Sequence, residues 1–157
     1  MIPIAAPDVG EPEIEAVREV IESGQLADGP AVRRFEDAFA DLCGTEYAVA
    51  TTNGTTALHA TFEALGVGEG DAVITTPFSF VASANAIRLA GAEPVFADVD
   101  PETLTIDPRA VGEILAERDD VAAVLPVHLY GMPAEMDRLR GLADAHDVAL
   151  VEDAAQA

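Results

Sequence analysis

Apolar residues along this 157-residue chain fall into two rhythms that alternate from one end to the other. The first is helical. Between residues 13 and 23 the apolar positions are Ile14, Val17, Val20 and Ile21, one face of a 3.6-residue period, and Gly24 follows as a stop. From Pro30, a favoured first helical residue, Val32, Phe35, Phe39 and Leu42 share a face until Gly44. The same rhythm predicts helices over 54–65, 80–89, 108–116 and 133–146. The second rhythm is short and nearly continuous. It predicts strands over 47–51, 72–76, 94–98, 121–129 and 148–153. Runs such as AVITT, PVFAD, VAAVLPV and VALVED have no polar face, so helices must cover them on both sides. Repeated β-α-β alternation of this kind predicts an α/β fold, three layers α-β-α around a mostly parallel sheet. The helical opening, 1–46, precedes an α/β core over 47–157.

Composition then narrows the setting. Half the residues are apolar, enough for a sizeable core in one chain of this length. Acids outnumber bases 29 to 8, the formal net charge is -21, and every base is arginine; lysine is absent. Such a chain repels nucleic acid and anionic lipid. The acids are scattered over predicted helix faces, as at Glu11, Glu15, Glu19 and Glu22, which reads as a solvated surface adapted to high salt. The one cysteine, Cys43, excludes an intrachain disulfide and reads as a small buried apolar residue near a helix end. No apolar run approaches the roughly 20 residues of a membrane span. The N-terminus lacks the basic start and apolar stretch of a signal peptide, so a cytoplasmic location is expected.

The candidate chemistry gathers at the carboxyl ends of predicted strands, where open parallel sheets bind ligands. Asn53, Gly54, Thr55 and Thr56 follow the first strand and open a helix. A helix start offers free N–H groups and partial positive charge to a phosphate, and the glycine lets backbone come close; an ordinary N-cap by Asn53 or Thr55 explains the same residues. Phe80, just past the 72–76 strand, can stack on a flat ring or fill core. Asp153 ends an apolar run, where a carboxylate needs a partner: a helix start, a metal, a ribose hydroxyl or a protonated heterocycle. Glu152 points to the opposite face. His59, His128 and His146 form no ligand pattern. Asp98, Asp100, Glu102 and Asp107 do not fit a calcium loop and read as turn and cap residues. No nucleophile elbow or Gly-x-Gly-x-x-Gly occurs, which counts against a Rossmann-like nucleotide enzyme with Asp153 on a ribose.

Taken together, SGQLADGPAVRRFEDAFADLCG (23–44), TTNGTTALHATFEALGVGEGDAVITTPFSFVASANAIRLAGAEPVFADVDPETLTID (51–107), VLPVHLYGMPAEMDRL (124–139) and LVEDAAQA (150–157) resemble the DegT/DnrJ/EryC1/StrS family of pyridoxal-phosphate-dependent sugar aminotransferases. The resemblance implies the large domain of a fold-type I pyridoxal-phosphate transferase, with this chain its N-terminal part. It implies pyridoxal 5'-phosphate as cofactor. Gly54, Thr55 and Thr56 would hold its phosphate, Phe80 would stack on its ring, Asp153 would pair with the ring nitrogen and Gln156 with the ring hydroxyl oxygen. The implied reaction moves an amino group from an amino acid, glutamate by family habit, to a keto-sugar carried on a nucleotide, in the biosynthesis of amino sugars and polysaccharides. Family members are homodimers that use a Schiff-base lysine. With no lysine here, the chain alone is expected to be inactive as an enzyme. A second chain supplying the C-terminal half is one completion; a non-catalytic module that binds the cofactor or a nucleotide-sugar is the alternative.

Overall fold

The computed structural model, which describes residues 6–157, divides into two compact units: one ends at Ala50 and the other runs from Thr51 to Ala157. The first holds α1 (Glu11–Ser23) and α2 (Pro30–Cys43). Glu13 reaches back to accept the Gly10 N–H at 2.7 Å, and this bond lowers the pKa of its carboxyl. Both helices end at glycines in the left-handed region, Gly24 and Gly44, which a side chain would strain. The amphipathic faces are present, yet their apolar residues stay open to solvent: Ile14, Val17, Phe35 and Leu42 are exposed and only Ala40 is buried. Cys43, expected to be buried, is exposed for the same reason.

The predicted strand over 47–51 does not form. Its residues have no ladder partner among the described ones, and Tyr47 and Val49 are 76% and 81% exposed. Apolar alternation alone does not make a strand; its N–H and C=O groups need a neighbouring edge. What holds this segment is α2, whose Glu36 carboxylate accepts the Ala50 N–H at 2.9 Å.

In the second unit the elements are α3 (Gly54–Leu65), β1 (Ala72–Thr75), α4 (Val81–Leu89), β2 (Glu93–Phe96), α5 (Pro108–Glu117), β3 (Val121–Val124), α6 (Met136–His146) and β4 (Ala149–Leu150). The strands make one parallel sheet in the order β2-β1-β3-β4. Alternate side chains point to opposite faces, and both faces are covered. Ala72, Ile74 and Val124 pack with Val111 and Leu115 of α5 and Leu139 of α6. Val73, Ala123 and Leu125 pack on the other face with Leu58 and Phe62 of α3 and Ala86 and Ile87 of α4. The three-layer parallel α/β expectation is met.

Several boundaries move for identifiable reasons. The run over 121–129 is strand only to Val124, because Pro126 has no N–H to give the ladder. Leu129–Gly131 is instead a single 3-10 turn. Helix α6 begins at Met136, not at 133, and the Ala134 N–H before it donates to His128 Nδ1 at 3.2 Å. Strand β4 has two paired residues, but pairing resumes at Asp153, which bridges Val127. The Val151 N–H donates to Val124 O and the Asp153 N–H to Pro126 O, so the chain stays against the sheet to its carboxyl edge.

Candidate functional site

Past the carboxyl ends of β1, β3 and β4 the sheet gives way to a cleft of about 330 Å³, wholly within the second unit. This is at the small end of the range for small-molecule sites. Gly54, Thr55, Phe80, Asp153 and Gln156 stand on its wall, with apolar Leu58, Val127 and Leu129 behind them. Five of the six residues singled out from the sequence therefore meet in one place, though Gly54 and Gln156 lie more than a hundred positions apart.

Helix α3 starts on this wall because Asn53 caps it. The Asn53 side-chain oxygen accepts the Thr56 N–H at 2.9 Å. Thr56 is the sixth residue and sits in the cap, not on the cleft wall; its hydroxyl is 3.1 Å from Asn53 Oδ1 and 3.2 Å from Thr52 Oγ1. The cap satisfies one amide and leaves those of Gly54 and Thr55 free of acceptors among the described residues, as at any helix start. A Cβ added at Gly54 would meet no atom within 4 Å, so the glycine keeps space open at the wall.

Phe80 is not core. It is 71% exposed and occupies the N-cap of α4, a position where an aromatic caps nothing. A local rule is broken at the cleft, as is common where a side chain is kept for something other than folding. Within the first turn of that helix, Ser83 is buried, and its hydroxyl donates to Asp153 Oδ2 at 2.8 Å. The Ser79 hydroxyl lies 3.1 Å from that of Ser83.

Asp153 is half-buried, and Glu152 turns to the other face as the alternation requires. Glu152 Oε2 is 2.9 Å from His128 Nε2. Because the Ala134 N–H donates to Nδ1, the ring proton is on Nε2 and is given to the Glu152 carboxylate. The His128 N–H donates to Asp153 O at 3.0 Å, and the Tyr130 N–H to Gln156 Oε1 at 2.7 Å. With the Asp153 N–H to Pro126 O, the turn after β3 is thus clipped to the 152–156 segment at four points. Tyr130 has φ +54°, a left-handed value that costs a non-glycine residue energy and is held by these clips.

The remaining polar candidates lie elsewhere. His59 Nε2 is 3.3 Å from Glu63 Oε1, within ion-pair reach but without hydrogen-bond geometry. His146 is exposed at the end of α6. Asp100 accepts the N–H groups of Glu102 and Thr103, and those bonds lower its pKa. Asp107 caps α5 through the Arg109 N–H, and the Arg109 guanidinium with that N–H lowers its pKa as well. Among the described residues no three His, Cys, Asp or Glu side chains gather as metal ligands would. No helix there is long and apolar enough to cross a membrane.

Ser83 and the His128–Glu152 pair were not visible as site residues. Ser83 sits in an apolar helix with ordinary small-residue neighbours, and only the fold brings it to Asp153. A signal for Glu152 existed in its place beside Asp153 on a strand; its partner did not have one.

Comparison with known proteins gives a consistent result. The sequence profile of the DegT/DnrJ/EryC1/StrS aminotransferase family matches residues 7–157. An aminotransferase from Psychrobacter cryohalolentis is 40% identical and superposes with a TM-score of 0.92, over 99% of this chain and 40% of that one. NtdA from Bacillus subtilis, solved with bound cofactor PMP, is 34% identical with a TM-score of 0.86, over 91% of this chain and 32% of that one. A protein assigned as a sugar aminotransferase from Streptococcus pneumoniae, in its PLP form, is 30% identical with a TM-score of 0.86, over 94% and 38%. This chain spans less than half the length of each of these relatives.

Proposed function

Because the chain belongs to the DegT/DnrJ/EryC1/StrS aminotransferase family, we propose that its cleft holds pyridoxal 5'-phosphate or the pyridoxamine form and contributes one side of a sugar aminotransferase site. The observation that carries this is the convergence, on one cleft wall, of a helix start with free amides, an uncovered aromatic and a fixed carboxylate. Those are the three things a phosphorylated pyridine needs. The Gly54 and Thr55 amides and the Thr55 hydroxyl bind the phosphate at the positive end of α3, with Thr56 bracing the Asn53 cap beside them. Phe80 lies over the ring and shields it from water. The Asp153 carboxylate accepts a hydrogen bond from the protonated ring nitrogen. The Gln156 amide, its oxygen already engaged by Tyr130, presents its NH2 to the ring oxygen. When bound, the cofactor supplies an electron sink for bond breaking at the carbon that bears the amino group.

A sugar acceptor is supported by the Streptococcus pneumoniae relative; its keto form, a nucleotide carrier and a glutamate donor follow the family resemblance. These 157 residues hold no lysine, and arginine stays protonated and cannot replace it as the amine. Taken alone they bind and do not turn over. That feature also favours a second reading, a module that binds the cofactor without catalysis.

Titrating the purified chain with pyridoxamine 5'-phosphate, followed by the ligand's fluorescence, tests the proposal. Saturable binding that inorganic phosphate competes away is expected. Absence of binding at millimolar ligand, in low and high salt alike, sinks both readings.

A further inference from the structure

The carboxylate of Asp153 is held from two directions. Its backbone is pinned to the turn after β3, through its N–H to Pro126 O at 2.9 Å and its C=O to the His128 N–H at 3.0 Å. Its side chain is held by Ser83, which comes from α4, seventy positions earlier in the chain. Oδ2 accepts the Ser83 hydroxyl at 2.8 Å, and Oδ1 accepts the Ala155 N–H at 3.3 Å.

The direction of the hydroxyl chain follows from counting protons. A serine has one O–H proton, and a carboxylate can only accept. Ser83 therefore gives its proton to Asp153, and Ser79, 3.1 Å away, must give its own to Ser83. The chain Ser79 to Ser83 to Asp153 has one sense. Ser83 is 1% exposed, so water does not stand in for it. Helix α4 also carries Phe80 at its N-cap, on the cleft wall. One buried hydroxyl thus couples the residue that would cover a flat ligand to the residue that would anchor its edge.

We infer that Ser83 is a positioning residue for the ring-nitrogen contact: it fixes the Asp153 carboxylate against the helix that bears Phe80, so that a protonated ring nitrogen meets an aligned acceptor. The inference rests on the reading of the cleft given above. It makes a claim that a packing role would not. Ser83 should matter for a ligand with a ring nitrogen and not for the same ligand without one.

The test compares pyridoxamine 5'-phosphate with its 1-deaza analogue, in which a ring CH replaces the nitrogen, on the full chain. Ser83→Ala is expected to weaken the first about tenfold, the scale of one hydrogen bond to a charged group, and the analogue by less than twofold. In an Asp153→Asn background the same change should cost pyridoxamine 5'-phosphate little more. Ser83→Cys keeps the shape with a weaker donor; it should give a smaller loss with the same selectivity, and it serves if the alanine variant does not fold. Equal losses for both ligands, or none for either, overturn the inference while leaving the cofactor site standing. Failure of the unmodified chain to bind either ligand removes the reading of the cleft and the inference with it.

Discussion

The Tyr130 backbone N–H donates to the Gln156 side-chain oxygen at 2.7 Å. An N–H can only donate, so the amide is oriented with its oxygen toward Tyr130 and its NH2 away from it. The residue that makes this possible is strained. Tyr130 has φ +54°, a left-handed value that turns the following chain away from a continued strand.

Gln156→Glu separates the two jobs of this side chain. The carboxylate still accepts the Tyr130 N–H, but it loses the donor that faces the cleft and adds a negative charge beside an anionic ligand. Affinity for pyridoxamine 5'-phosphate should fall tenfold or more, about 1.4 kcal/mol, while the thermal midpoint moves little. A fluorescence titration paired with a melting curve checks both; unchanged affinity would remove Gln156 from the site.

Gly54→Ala should act on binding and spare the fold. The added Cβ meets no atom within 4 Å, and Gly54 is the first residue of α3, where alanine is tolerated at least as well as glycine. The methyl group fills the space through which backbone approaches a phosphate. The expected outcome is an unchanged or slightly higher melting temperature with at least tenfold weaker binding of inorganic phosphate and of pyridoxamine 5'-phosphate. Loss of folding without a specific loss of binding would mean that the glycine serves the turn.

The α/β alternation was legible because burial on both sheet faces writes a near-continuous apolar run, and the runs at 72–75 and 121–124 became β1 and β3. The strand at 47–51 was misread because its apolar pattern carries no information about a partner edge. Gly54 and Thr55 at a helix start, Phe80 just past a strand and Asp153 ending an apolar run stood out in the sequence, each with an ordinary structural explanation beside the functional one; that Phe80 is an exposed N-cap and not core came from the fold. Ser83 and His128 did not stand out, since a serine in a small-residue helix and a histidine after a strand break no local rule. Their partners, Asp153 and Glu152, come from residues 70 and 24 positions away, and only the sheet order brings them near.

His128→Ala should destabilise the cleft's supporting turn. The Ala134 N–H loses its acceptor in a buried place, and Glu152 loses its donor. An orphaned buried amide costs about 1–3 kcal/mol. Urea denaturation should show a loss of that size, larger than for Glu152→Gln, whose side chain is close to half exposed and can turn to water. If Glu152→Gln costs as much as His128→Ala, the histidine–carboxylate bond and not the amide cap holds the turn.

Asp107 gives an acid-dependent term. Its carboxyl pKa is lowered, first by the Arg109 guanidinium and then by the Arg109 N–H it caps. A lowered folded-state pKa means that the stabilisation is complete above the unfolded value, about 3.9, and is lost as pH falls through the lower folded value. Asp107→Ala should cost about 1 kcal/mol at pH 7 through loss of the helix cap. Asp107→Asn keeps an equally good cap and should cost little there, since the ion pair is formed with a largely exposed arginine. The stability gap between the native chain and the alanine variant should stay flat from pH 7 to about 4.5 and narrow below the unfolded value near 4. Urea curves at these pH values decide; a gap that widens on acidification has the wrong sign and refutes the assignment.

Salt should stabilise this chain, because its charge is one-sided. The formal net charge is -21, and self-repulsion of that kind works against the compact state. Raising ionic strength from 0.1 to 1 M shortens the screening length from about 10 to about 3 Å, which removes most repulsion between scattered surface acids and leaves buried hydrogen bonds intact. The urea midpoint should therefore rise between 0.1 and 1 M KCl. Screening must be separated from a general salt effect on apolar burial. Glu117 and Asp144 are exposed acids near the carbonyl ends of α5 and α6, where negative charge also opposes the helix dipole. Glu117→Gln with Asp144→Asn should raise stability in low salt by a few tenths of a kcal/mol each and flatten the salt dependence. A steep dependence that survives this neutralisation unchanged would trace the salt effect to apolar burial instead of charge.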